Sequence, residues 1–101
     1  MNSHECIFTL SADHPSLPGH FPGNPIVPGV WLLDEVISAI ERWLGRPVHV
    51  RGLPQVKFVQ PLRPQEQARI NLTSDAATVK FTVHKDGAVI AQGVMQLAEA
   101  A

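Results

Sequence analysis

The sequence lacks the features that mark several classes of protein. A single cysteine, Cys6, stands in 101 residues, which excludes an internal disulfide framework and a four-cysteine zinc site. Eight Lys and Arg against nine Asp and Glu give a net charge of -1, so no basic excess exists to neutralise the phosphates of nucleic acid. No apolar run reaches the roughly 18 residues of a membrane span, and the N-terminus, MNSHECIF, lacks the pattern of a signal peptide. We therefore expect a cytoplasmic protein without nucleic-acid or membrane partners.

The composition itself is that of a folded protein. Hydrophobic residues make up 45% and charged residues 17% of the chain, which is ordinary globular usage. A chain of this length leaves no room for a linker and a second module. We therefore predict one domain over residues 1–101.

Alternation of apolar and polar residues predicts a largely antiparallel β-protein. Asp86-Gly87 predicts a type I′ hairpin, because that turn requires positive φ at both central positions. Gly52 and Pro54 interrupt one long strand and predict a bulge or bend there. The five predicted strands are 5–11, 48–60, 67–73, 78–84 and 88–97.

One stretch, residues 30–44, predicts a helix. Apolar side chains occur almost all round it, which predicts burial over most of its circumference. Gly45 ends the helix and Pro47 prevents its continuation. The predicted fold class is therefore α+β, a five-stranded antiparallel sheet wrapped around one central buried helix.

The loop before this helix, residues 18–29 (PGHFPGNPIVPG), concentrates prolines and glycines around one ionisable side chain, His20. Asp34 follows in the second turn of the helix, where a buried carboxylate would be costly unless it were used or paired. The N–H groups near Gly29 and Val30 lack intrahelical acceptors and are suited to stabilising an oxyanion. A base, a carboxyl group and an oxyanion donor, without an obvious nucleophile or metal cluster, favour proton abstraction next to a carbonyl.

The segment HFPGNPIVPGVWLLDEV resembles the active-site segment of the hot-dog-fold 3-hydroxyacyl-[acyl carrier protein] dehydratases. QVKFVQPLRPQEQ resembles the strand-turn-strand stretch of that family, and VHKDGAVIAQGVM resembles its closing hairpin. The resemblance covers roughly residues 5–97 and holds in register at about a dozen positions. It implies a hot-dog fold and a dimer in which the loop histidine of one subunit meets the helix acid of the other.

The resemblance also implies roles for individual residues. His20 would be the catalytic base, Asp34 the acid partner, and the N–H of Gly29 the group that polarises the thioester carbonyl. The other residues that it places at the oxyanion and substrate site are Val30, Phe21 and Pro28.

The implied reaction is dehydration of 3-hydroxyacyl thioesters to trans-2-enoyl thioesters, in fatty-acid or polyene-type synthesis. It needs no cofactor or metal of its own, because the substrate arrives on the phosphopantetheine of acyl carrier protein. The implied partners are that carrier protein and a second subunit, in a homodimer or a heterodimer with another hot-dog chain. Lys57, Arg63 and Arg69 are weaker candidates for contacts with the phosphate or with an acidic carrier-protein helix.

Two other functions remain open at this stage. A hot-dog acyl thioesterase would use the helix acid to activate water, although the HFPG histidine argues against it. A non-catalytic subunit of a hot-dog heterodimer is the other, and the intact pair of His20 and Asp34 argues against that. The acyl chain length, and whether the double bond is also isomerised, are left open.

Overall fold

The computed structural model describes residues 2–9, 29–63, 65–75 and 77–98. The described residues form, in chain order, β1 (Asn2–Thr9), α1 (Gly29–Leu44), β2 (Val50–Phe58), β3 (Gln67–Asp75), β4 (Thr78–Lys85) and β5 (Ala88–Leu97). The five strands make one antiparallel sheet in the order β1-β3-β4-β5-β2. The predicted α+β hot-dog architecture, one sheet with one helix, is confirmed.

The centre of the sheet buries every second side chain against α1. On β3, Ile70 and Leu72 are at most 1% exposed, and Val83 on β4 is fully buried. The intervening residues, such as Arg69 and Lys80, are exposed on the other face. The predicted alternation is therefore confirmed, and it follows from the period of two along a strand.

The predicted hairpin and the predicted irregularity both occur. Asp86 has φ of 51° and Gly87 has φ of 80°, the positive values that a type I′ turn requires. Along β2, the pairing with β5 shifts register between Val50 and Gly52 and again between Gly52 and Gln55. The two shifts flank Gly52, and the second spans Pro54, which has no N–H to donate to a neighbouring strand.

The helix buries one stripe against the sheet, made of Leu32, Val36, Ala39 and Ile40. The stripe is narrower than the sequence predicts, because one sheet covers only one side of a helix. Val30 is 61% exposed, and Asp34 is also exposed. Within the described residues, the helix is too short and too polar to cross a membrane.

The C-terminus of α1 is closed by hydrogen bonds. The N–H of Gly45 donates to the carbonyl oxygen of Glu41 at 2.8 Å. The Glu41 carboxylate also accepts the N–H of Val48 at 2.9 Å, in a partly buried position. Glu41 thus joins the end of the helix to the chain that enters β2.

Candidate active site

A groove of about 300 Å³ opens beside the first turn of α1. Two of its lining residues, Leu32 and Leu62, are 3% and 1% exposed, so its inner surface is apolar. The other lining residues come from the start of the helix and from the chain that leaves β2: Gly29, Phe58, Val59, Gln60 and Pro61. The groove therefore brings apolar surface next to the helix N-terminus, where N–H groups lack intrahelical acceptors.

Gly29 is in close contact with an aromatic ring. A Cβ atom at this position would lie 2.8 Å from Cζ of Phe58, closer than real Cβ contacts allow. The glycine is therefore explained by packing between α1 and β2. The sequence indicated an oxyanion role for the N–H of this residue and did not single out Phe58, although QVKFVQ places an aromatic residue at the end of a strand.

Hydrogen bonds fix the segment that forms one wall of the groove. The N–H groups of Val59 and Gln60 both donate to the carbonyl oxygen of Ile90, at 2.8 and 3.2 Å. Further along, the N–H of Arg63 donates to the Glu66 carboxylate at 2.7 Å. The sequence analysis does not single out Glu66. Its spacing could have indicated the bond, because in a capping box a glutamate accepts the N–H of the residue three positions before it.

Glu66 is also held from the opposite side. Its second carboxylate oxygen accepts a hydrogen bond from Nζ of Lys85 in a salt bridge between half-buried side chains. The segment between β2 and β3 is therefore tied to the sheet at both of its ends.

Asp34 lies on the side of α1 that faces away from its own sheet. Successive helical residues rotate by about 100°, which puts Asp34 about 160° round the helix from the buried Val36. Val30 is one turn earlier on the same exposed side, whereas Glu35 points to the flank and is half-buried. The predicted burial of the Asp34 carboxylate is thus wrong for the single chain, because the sheet does not cover that side of the helix.

Three of the predicted site residues, His20, Phe21 and Pro28, lie outside the described residues. Their roles stay predictions. The described part brings Gly29 and Val30 together at the helix start and places Asp34 one turn further on. Among the described residues, no group of three or more His, Cys, Asp or Glu side chains could hold a metal ion.

A polar network occupies the face of the sheet opposite α1. Arg69 pairs with Glu5 at 2.7 Å, and the side-chain amide of Asn71 donates to Glu5 at 2.8 Å. The hydrogen bond from Asn71, opposed by some desolvation and helped by the Arg69 charge, lowers the pKa of the Glu5 carboxyl. The oxygen of Asn71 is in turn hydrogen-bonded to Nε2 of His84. Arg69 therefore pairs with Glu5 on the face of the sheet opposite the helix and does not line the groove.

Nearly the whole chain matches one known protein family. The model of the family described as "ApeI-like: ApeI dehydratase" matches residues 1–94. The chain belongs to the ApeI-like dehydratase family. The membership predicted from the HFPG segment is thereby confirmed.

Curated relatives of this ApeI-like chain are 3-hydroxyacyl-[acyl-carrier-protein] dehydratases named FabZ. The chain is 28% identical to the one from Caldicellulosiruptor saccharolyticus over 104 residues, covering 91% of this chain and 74% of the relative. It is 30% identical to the one from Syntrophobacter fumaroxidans over 71 residues, covering 62% of this chain and 48% of the relative. The chain thus spans about half the length of several curated relatives that it matches.

Solved structures share the fold. The dehydratase heterocomplex ApeI:P from Xenorhabdus doucetiae superposes with a TM-score of 0.85 at 24% identity, over 96% of this chain and 88% of that one. An uncharacterised protein from Erwinia carotovora superposes with a TM-score of 0.77 at 24% identity, over 95% of this chain and 82% of that one. Both likenesses support the hot-dog architecture of the ApeI-like chain.

Proposed function

We propose that this chain dehydrates 3-hydroxyacyl thioesters, carried on acyl carrier protein, to trans-2-enoyl thioesters. The observation that carries the proposal is the groove at the start of α1. There, apolar lining residues meet the helix N-terminus beside Gly29, in a chain of a dehydratase family. An acyl chain needs the apolar surface, and its thioester oxygen needs the N–H donors.

The proposed chemistry removes one proton and one hydroxyl group as water. His20 takes the proton from C2, and the N–H of Gly29 stabilises the negative charge that develops on the thioester oxygen. Asp34, contributed by the facing subunit of a dimer and acting in its protonated form or through a water molecule, gives a proton to the departing 3-hydroxyl group, and the C2–C3 double bond forms. General acid–base help is worth about 10²–10⁴-fold, and one oxyanion donor about 10²–10³-fold.

The site is proposed to be completed by a second hot-dog subunit. Asp34 faces away from its own sheet and from the groove of its own chain. A loop of a partner subunit can therefore approach its carboxyl group. The β2 edge is open in the described structure, and Leu53, Phe58 and Val59 are 44–49% exposed on or beside it. Exposed apolar side chains next to an unpaired strand are typical of a surface that binds another chain. The heterocomplex ApeI:P makes a different hot-dog chain the first partner to try.

The test supplies the purified chain with 3-hydroxyacyl and enoyl thioesters of graded length, alone and mixed with a second hot-dog subunit from the same organism. Turnover is followed in both directions by absorbance and mass. We expect His20→Ala and Asp34→Asn each to lower kcat by about 10²–10⁴-fold. Glu35→Gln is the matched control, because it removes a neighbouring charge from another side of the helix.

The outcomes separate the candidate functions. Release of free thiol without interconversion of hydroxyacyl and enoyl species would identify a thioesterase. Turnover in a mixture that is insensitive to His20→Ala and Asp34→Asn would make this chain a non-catalytic subunit. Glu35→Gln costing more than Asp34→Asn would show that the assignment of the acid is one residue out of register.

A further inference from the structure

The ring of Phe58 rests directly against the first residue of α1. An ideal Cβ on Gly29 would lie 2.8, 2.9 and 3.2 Å from Cζ, Cε1 and Cε2 of that ring. These distances place the outer edge of the ring, from Cε1 through Cζ to Cε2, against Gly29. The ring therefore limits how far Gly29 can move towards β2.

The backbone that carries this ring is held by β5, the one strand with which β2 pairs. Phe58 is the last residue of β2 and lies opposite Ala91 of β5, which is 1% exposed. The next two residues, Val59 and Gln60, both donate their N–H groups to the carbonyl oxygen of Ile90. The ring is thus fixed through its own strand.

The ring nevertheless remains open to the groove. Phe58 is 49% exposed although it is on the helix-facing side of the sheet, and it lines the groove together with Gly29 and Leu32. The ring thus lies against the first residue of the helix on one side and borders the groove on the other.

We infer that Phe58 is a positioning residue for the proposed dehydration and sets the distance between the thioester and the N–H groups that begin α1. The inference rests on the proposed function. An oxyanion donor works at about 2.7–3.1 Å, and a misplacement of 1 Å can cost about 10²-fold in rate.

The first test compares Phe58→Ala with the conservative Phe58→Leu. We expect Phe58→Ala to lower kcat by up to about 10²-fold with little change in KM, and Phe58→Leu to recover most of the loss. Circular dichroism and thermal midpoints of both variants establish the folded fraction used for kcat. A kcat for Phe58→Ala equal to that of the parent chain would overturn the inference.

A second test uses the contact itself. Gly29→Ala adds a methyl group where the ring lies, so we expect it to lower kcat. Phe58→Leu in the Gly29→Ala background should then restore part of the activity, because the smaller side chain makes room for the methyl group. Residues in contact couple in this way. If the fold-loss of kcat in the double variant equals the product of the two single fold-losses, the ring does not act through Gly29.

A binding measurement separates failure of this inference from failure of the proposed function. The amide signals of Gly29 and Val30 are followed by nuclear magnetic resonance while a non-reactive 3-hydroxyacyl-pantetheine amide is added. We expect shifts in the parent chain, alone or with the second subunit, and much smaller ones in Phe58→Ala. Equal shifts in both proteins overturn the role of Phe58 alone. Neither shifts nor turnover in the parent chain would overturn the proposed function and the inference together.

Discussion

Gly93 offers a stringent test of how β2 lies against β5. A Cβ at this position would be 2.3 Å from the backbone oxygen of Gln55 and 2.9 Å from Cζ of Phe81. Carbon and oxygen atoms normally approach to about 3.3–3.6 Å, so Gly93→Ala requires a movement of about 1 Å. The atom in the way belongs to the backbone of β2, which cannot rotate aside as a side chain can.

The expected cost follows from that geometry. Overpacking costs about 1–3 kcal/mol, and we expect Gly93→Ala near the upper limit. For a domain of this size, about 3 kcal/mol lowers the thermal midpoint by about 12–24 °C, at 4–8 °C per kcal/mol. Thermal and urea unfolding followed by circular dichroism give the value.

Gly87→Ala is the matched control for this experiment. No atom lies within 4 Å of the position, but its φ of 80° is left-handed, so the cost is backbone strain of about 1–2 kcal/mol. Gly93→Ala should therefore be the more damaging of the two. A smaller effect than that of Gly87→Ala, with unchanged hydrogen exchange along β2, would refute the described packing of β2 on β5.

Two further predictions concern carboxylates outside the groove. The pKa of Glu5 is lowered in the folded chain from an ordinary value of 4.5, first by the hydrogen bond from Asn71. The ionised carboxylate therefore stabilises the fold fully above pH 4.5, and this stabilisation is lost as the pH falls through the folded pKa. The difference in thermal midpoint between the parent chain and Glu5→Gln should accordingly shrink on acidification, and a constant difference would contradict it. Glu41→Ala leaves the partly buried N–H of Val48 without its acceptor and should cost about 1–3 kcal/mol in urea unfolding. Glu41→Gln, which keeps an oxygen, should cost less; equal costs would show that the bond to Val48 is unimportant.

Local rules were enough to predict much of the fold. The turn at Asp86-Gly87 requires a backbone conformation that few residues adopt, and the alternation along β3 and β4 records which face is buried. Gly52 and Pro54 marked the irregular part of β2 for the same kind of reason. Each of these signals is contained within a few neighbouring residues.

The candidate site was less accessible to sequence reasoning, because its contacts join distant segments. Gly29 and Phe58 are 29 positions apart in the sequence, and nothing in either segment indicates that the ring covers the glycine. The exposure of Asp34 could not be read from an apolar helix either, since the pattern does not distinguish a helix covered by its own sheet from one covered by another chain. The roles of His20, Phe21 and Pro28 remain predictions.

The strand order has a consequence for synthesis of the chain on the ribosome. β1, α1 and β2 emerge before β3 and β5, the strands with which β1 and β2 pair. Leu32, Val36 and Ile40 therefore have no sheet to cover them until the meander from Gln67 to Leu97 has left the exit tunnel. Because long-range pairing is slow and uncovered apolar surface favours aggregation, we expect the segment from β1 to β2 to be prone to aggregation during synthesis until β3 to β5 have emerged.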